Sequence, residues 1–212
     1  MIAQIKRHHR QWPIILVLAI AMAFFVGCGG DDDDGGEEEL NYRDEVNLGW
    51  DEFENLDYDQ ALVHFKNAMS VNADGVDAYT GEGWSYFRKL ELDSARASWE
   101  QPLDRNLEGD LDNIYAGLGF LSLSEEDYSE AIERFEWVFE NNESYSFVHD
   151  PGIDILDVIV GLAQSNFLLG EFDAALDWVN LIEQNFDPDL STPEGIDALR
   201  EMIEEIGNRV HR

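Results

Sequence analysis

From Asn41 onward the chain restates one phrase, and that repetition limits its fold more than any other feature of the sequence. Three copies read Asp57-Tyr58-Asp59-Gln60-Ala61-Leu62-Val63-His64-Phe65, Asp127-Tyr128-Ser129-Glu130-Ala131-Ile132-Glu133-Arg134-Phe135 and Glu171-Phe172-Asp173-Ala174-Ala175-Leu176-Asp177-Trp178-Val179. A fourth, Leu92-Asp93-Ser94-Ala95-Arg96-Ala97-Ser98-Trp99, falls between the first two. The aligned alanines Ala61, Ala95, Ala131 and Ala175 are 34, 36 and 44 residues apart. Twelve places before each stands another small residue: Gly49, Gly83, Gly119 and Ala163. Four places after each stands a larger apolar one: Phe65, Trp99, Phe135 and Val179. A period of this length without strand-like alternation describes stacked helix-turn-helix units. The paired small residues mark where two helices cross closely, since a bulky side chain at either place would hold them apart.

This pattern resembles the tetratricopeptide repeat (TPR) family over about Asn41 to Phe186. The resemblance implies an all-α, right-handed superhelical solenoid of about four TPR-like units. It places the repeat domain at 41–190 and a C-terminal capping helix at 191–212. That last helix opens at Thr192-Pro193-Glu194, with an apolar face of Ile196, Leu199, Met202, Ile203 and Ile206 and a charged opposite face, as a terminal cap requires. Two departures from the pattern predict local changes. Pro102 falls late in the second unit, where a helix should kink or stop. The spacing from the third unit to the fourth is ten residues too long, and Asn141–Gly152 is the inserted loop.

Residues 1–27 carry a basic start (Lys6, Arg7, Arg10) and an apolar run from Ile14 to Val26, then Gly27-Cys28-Gly29-Gly30. The run of 13 residues fits the roughly 7–15 of a signal peptide and is short of the roughly 20 that span a bilayer. Phe25-Val26-Gly27-Cys28 resembles the lipobox of bacterial lipoproteins, with Phe25 where leucine is usual. The resemblance implies that Cys28, the only cysteine, carries a diacylglycerol, whose two acyl chains anchor stably without protein insertion. Gly29, rather than aspartate, after the cysteine implies an outer-membrane lipoprotein facing the periplasm or the exterior. The segment 28–40, rich in glycine, aspartate and glutamate, is expected to be a flexible acidic tether.

Without the leader, 10 basic residues face 46 acidic ones, so the formal charge moves from −33 to −36. Such a surface repels phosphate backbones and excludes nucleic-acid binding. It fits a basic partner or solvation in a saline medium. Hydrophobic residues at 44% and aromatics at 12% still supply a folding core.

Nucleophile, zincin, C-x-x-C and phosphate-loop motifs are all missing, so catalysis is not expected. No metal and no cofactor beyond the lipid is expected either: Asp31–Asp34 lacks EF-hand spacing, and His149-Asp150 offers only two ligands. His64 reads as a surface or packing residue, and Glu125-Glu126 and Glu204-Glu205 as helix-surface charge.

The constellation that remains is aromatic. Trp50, Trp84, Phe120 and Gln164 directly follow the small residue of each first helix, and Phe53, Phe87, Leu123 and Phe167 come three places later. Helical spacing puts each pair on one face. In TPR proteins that face lines the concave groove, so the resemblance makes Trp50, Phe53, Trp84, Phe87, Phe120 and Phe167 candidates for a ligand groove. Their alternative role is to fill gaps between helices, with Phe53, Phe87 and Phe167 the stronger core candidates. Rings rimmed by carboxylates suit a basic or apolar peptide or protein segment. A glycan stacked on the same rings is the alternative.

Overall fold

The first three units are each built around one large ring clamped by glycines. The computed structural model describes residues 34–210, with side chains from residue 39. Among these, nine helices form four antiparallel pairs and a cap. The pairs are α1 (Asp34–Glu54) with α2 (Tyr58–Val71), α3 (Val76–Arg88) with α4 (Leu92–Asp104), α5 (Asp112–Ser124) with α6 (Tyr128–Asn141), and α7 (Ile155–Leu169) with α8 (Phe172–Ile182). The cap is α9 (Pro193–Val210), which packs on α7 and α8.

The aligned alanines Ala61, Ala95, Ala131 and Ala175 are fully buried, as are Phe65, Trp99 and Phe135, with Val179 nearly so. A Cβ on Gly49 or Gly81 would stand closer than 3.0 Å to the Phe65 ring. Gly83 and Gly117 meet Trp99 in the same way, and Gly119 and Gly161 meet Phe135. One glycine of each pair belongs to the ring's own unit and the other to the first helix of the next. The ring is therefore both the core of its unit and the joint to its neighbour. In the fourth unit the smaller Val179 faces Ala163, and the ring series gives way to a second core with Leu199, Ile203 and Ile206 of α9.

The tight turn inside each pair is also repeated. Asp57, Glu91, Asp127 and Glu171 donate their backbone N–H to the carbonyls of Glu52, Tyr86, Ser122 and Asn166, five residues back, at 2.9–3.0 Å. This closure needs a left-handed residue just before the donor. Gly170 fills that place in the fourth unit with φ 81°, whereas Leu56, Leu90 and Glu126 do so at φ 65°, 62° and 63°. A left-handed conformation strains any residue with a Cβ. Leu90 is 81% exposed and loses little when removed. Leu90→Gly is therefore expected to stabilise the chain by about 0.5–1 kcal/mol, seen as a rise in thermal midpoint of roughly 1–4 °C.

Three expectations change. α1 begins at Asp34, so the segment expected as a tether is helical from there; glutamate is a good helix former and its charge is favourable near a helix N-terminus. Residues 28–33, with Cys28 and the leader, lie outside the described residues. Pro102 is accommodated in the last turn of α4, which ends two residues later at Asp104. Glu125 and Glu126 sit in the turn after α5 instead of on a helix face. Among the described residues no helix is long and apolar enough to cross a membrane.

Candidate functional site

The first helices α1, α3, α5 and α7 pack side by side in order, and α7 packs on α9, while the second helices stand further apart and meet through long side chains, Arg96 of α4 with Glu130 of α6 and Phe139 of α6 edge-on to Trp178 of α8. The first helices thus form the inner, concave layer. The residue after each small residue points into it, but the groove is not the open aromatic ladder that the sequence suggests.

Trp50, Phe53 and Trp84 are buried, at 7%, 3% and 0% exposure. They are covered by the loop between α6 and α7. Phe147 of that loop is itself fully buried, stacked on Trp84 with ring centroids 4.6 Å apart and edge-on to Trp50 at 5.7 Å. His149 lies flat on Trp50, 3.9 Å between centroids and 4° between planes. Its Nδ1 is 2.8 Å from Glu54 Oε1, and Asp150 forms an ion pair with Arg88. Both residues of the two-ligand metal candidate are thus engaged elsewhere, and no third His, Cys, Asp or Glu completes a cluster with them among the described residues. The Tyr145 hydroxyl donates to Asn113 Oδ1 at 3.1 Å; burial pushes its pKa well above the usual phenol value, so it remains a neutral donor. Asn113 in turn accepts Trp84 Nε1–H at its backbone oxygen, 3.0 Å away. His64, half-buried, pairs with Glu45 at 2.8 Å and joins α2 to α1, a packing role.

Phe87, Phe120 and Phe167 are half-buried and remain on the open part of the layer. A channel of about 460 Å³ runs between α3, α5 and α7, with Phe87, Phe120, Leu123 and Val160 on its walls. A second, of about 390 Å³, runs between α7 and α9 past Phe167, Ile203 and Arg200. Val160 and Gln164 line both, so the two channels adjoin along α7. The inserted loop forms one wall through Asp150, Gly152 and Ile153. Val160 and the residues of the loop were not among the sequence candidates. Val160 sits one helical turn before Gln164 and was within reach of the same spacing argument; the short alternation of Tyr145, Phe147 and His149 in the loop does not say which surface it covers.

A stack of helical pairs with first helices inside and a half-filled concave face defines a TPR-type solenoid. Solved structures agree at the level of fold. The chain is similar to YrrB, described as a TPR protein with an unusual peptide-binding site, with TM-score 0.57 and 16% identity over 84% of this chain and 89% of that one. It is similar to MamA, with TM-score 0.56 and 16% identity over 80% and 90%. It is also similar to PilW, described as a widely conserved type IV pilus biogenesis factor, with TM-score 0.54 and 15% identity over 77% and 67%. No protein-family model and no curated protein matches the sequence.

Proposed function

We propose that this chain is a non-catalytic scaffold of the bacterial cell envelope, anchored by lipid on Cys28, that binds a protein or peptide segment along its concave layer. The observation that carries the binding reading is the pair of adjoining channels along α7, apolar at Val160, Phe120 and Phe167 and polar at Gln164, Arg200 and Glu204. Apolar lining with a few placed polar groups is the usual make-up of a binding groove. The peptide-binding site described for YrrB supports a peptide as the class of ligand. The excess of acidic residues supports a basic or apolar segment.

Peptides selected against the folded soluble chain test this directly. They are expected to lose at least about tenfold in affinity, or 1.4 kcal/mol, for Val160→Glu, with unchanged circular dichroism. Selected peptides indifferent to Val160→Glu, or displaced by envelope oligosaccharides, would move binding off these channels.

The anchor is tested separately. Wild-type chain expressed in a bacterium with an alkyne fatty acid is expected to take up the label and sediment with membranes. Cys28→Ser should lose both and keep peptide affinity in solution. An equally labelled Cys28→Ser chain would remove the lipid from this reading.

A further inference from the structure

The loop between α6 and α7 lies on the first helices as an extended ligand lies in a groove. Tyr145, Phe147 and His149 face inward while Ser146 and Val148 face solvent, the alternation of an extended strand. The inward side chains step from one first helix to the next in their nearest contacts. Tyr145 bonds to Asn113 on α5, Phe147 stacks on Trp84 of α3, and His149 stacks on Trp50 of α1. The segment therefore crosses three units against the order of the chain, with Phe147 also reaching Trp50 and Phe53 of α1.

Its backbone is tied to itself. Phe147 N–H donates to Ile153 O and Ile155 N–H to Tyr145 O, both at 2.9 Å, and Asp150 and Ile153 complete a small hairpin with further local bonds. The hairpin holds α1 and α3 through side chains, and at its tip these are surface pairs: Arg88 with Asp150, and His149 with Glu54, which is 52% exposed. Such pairs are individually weak. Val148, between them, is 71% exposed. What binds firmly is one ring, Phe147, in a nest of Trp50, Phe53 and Trp84.

We propose that this hairpin is an in-cis occupant of the concave layer, which a protein ligand displaces from α1 and α3 by supplying an extended segment with an aromatic anchor and an imidazole or basic residue two positions on. The aromatic residue would take the place of Phe147. The basic one would take that of His149, over Trp50 and beside Glu54. This rests on the reading that the concave layer binds peptide, and adds both a ligand pattern and a means of control. A tethered segment competes at an effective concentration of about millimolar, so the face is closed to weak ligands and open to those that match it better.

The probe is a synthetic peptide of residues 144–152 of this chain, with a second peptide carrying alanine for Phe147. The protein is the full chain with 144–152 replaced by a glycine-serine linker of equal length. The linker chain is expected to keep its helical circular dichroism, to show more accessible tryptophan by acrylamide quenching, and to bind the first peptide. Wild type should bind that peptide at least about tenfold more weakly, because its own hairpin competes, and the alanine peptide should bind neither. If the linker chain does not fold, Phe147→Ala in the full chain is read in its place. A folded, vacated chain that ignores the peptide, or equal binding by wild type, would overturn the proposal. So would failure of both variants to fold, since the hairpin would then be part of the core. Because this binding lies on α1 and α3, it is also measured in the linker chain carrying Val160→Glu. Retained binding there, with loss of selected-peptide binding, separates the two parts of the concave face and tells failure of one reading from failure of the other.

Discussion

Trp99→Ala is expected to remove about 3–5 kcal/mol of stability, a large share of the roughly 5–15 kcal/mol that a folded domain commonly has. The ring is fully buried, lies edge-on to Trp84 at 5.4 Å, and donates its Nε1–H to Thr80 O at 3.3 Å. The loss belongs at the upper end of the range because of what surrounds the ring. Two of its walls are Gly83 and Gly117, which have no side chain to swing into the hole. A cavity that cannot collapse retains its full cost. The joint between the second and third units would go with it, as the same ring packs both. Urea unfolding checks this: the midpoint should fall steeply, and Trp99→Phe, which keeps a ring between the glycines, should fall clearly less. A loss below about 1 kcal/mol for Trp99→Ala, the centre of ordinary point substitutions, would refute the clamp as a main source of stability.

The clamp was half legible in the sequence. The twelve-residue and four-residue spacings identify the ring and the glycine of its own unit, because both belong to one helical pair. The second glycine belongs to the next unit and needs a different alignment. Its trace is a doubled small residue in the later first helices: Gly81-Glu82-Gly83, Gly117-Leu118-Gly119 and Gly161-Leu162-Ala163. The first unit has Asn47-Leu48-Gly49, with nothing small two places earlier, and among the described residues no ring precedes it. Pattern reading along one unit misses a contact made between units.

The concave layer was legible as a face but not as a surface. Helical spacing aims Trp50 and Trp84 inward, and says nothing of what lies over them. The extra length before the fourth unit showed that residues were inserted, yet insertion length does not give direction. Only the alternation of Tyr145, Phe147 and His149 hinted at an extended segment with one buried side. A loop that carries two rings and an imidazole has apolar area to bury, and the nearest apolar surface was the one the first helices had left open. The candidate groove consequently shortened to Phe87, Phe120 and Phe167, with Val160 and Gln164 between them.

Gly161→Ala should reverse the usual sign of a glycine-to-alanine change inside a helix. Such a change normally stabilises by about 0.5–1 kcal/mol, because glycine loses more backbone freedom on folding. Gly207 in α9 offers that ordinary case: a Cβ there would meet Val160 Cγ1 at 3.6 Å, a normal contact. Gly207→Ala is therefore expected to raise stability. At Gly161 the same methyl would stand closer than 3.0 Å to the Phe135 ring, and Gly119 closes the ring's retreat on the other side. Either α7 moves off α6 or the ring leaves its rotamer, and overpacking of this kind costs about 1–3 kcal/mol. The remedy should be specific. Phe135→Leu alone opens a cavity, but paired with Gly161→Ala it makes room for the methyl, so the double variant should be more stable than the two losses added by about 0.5–3 kcal/mol. Because α7 carries Val160 and Gln164, Gly161→Ala should also weaken peptide binding along the channel, and the double variant should recover part of it. If Gly161→Ala and Gly207→Ala changed stability alike, the close approach of α7 to the Phe135 ring would no longer explain why this helix has a glycine where it crosses the third unit.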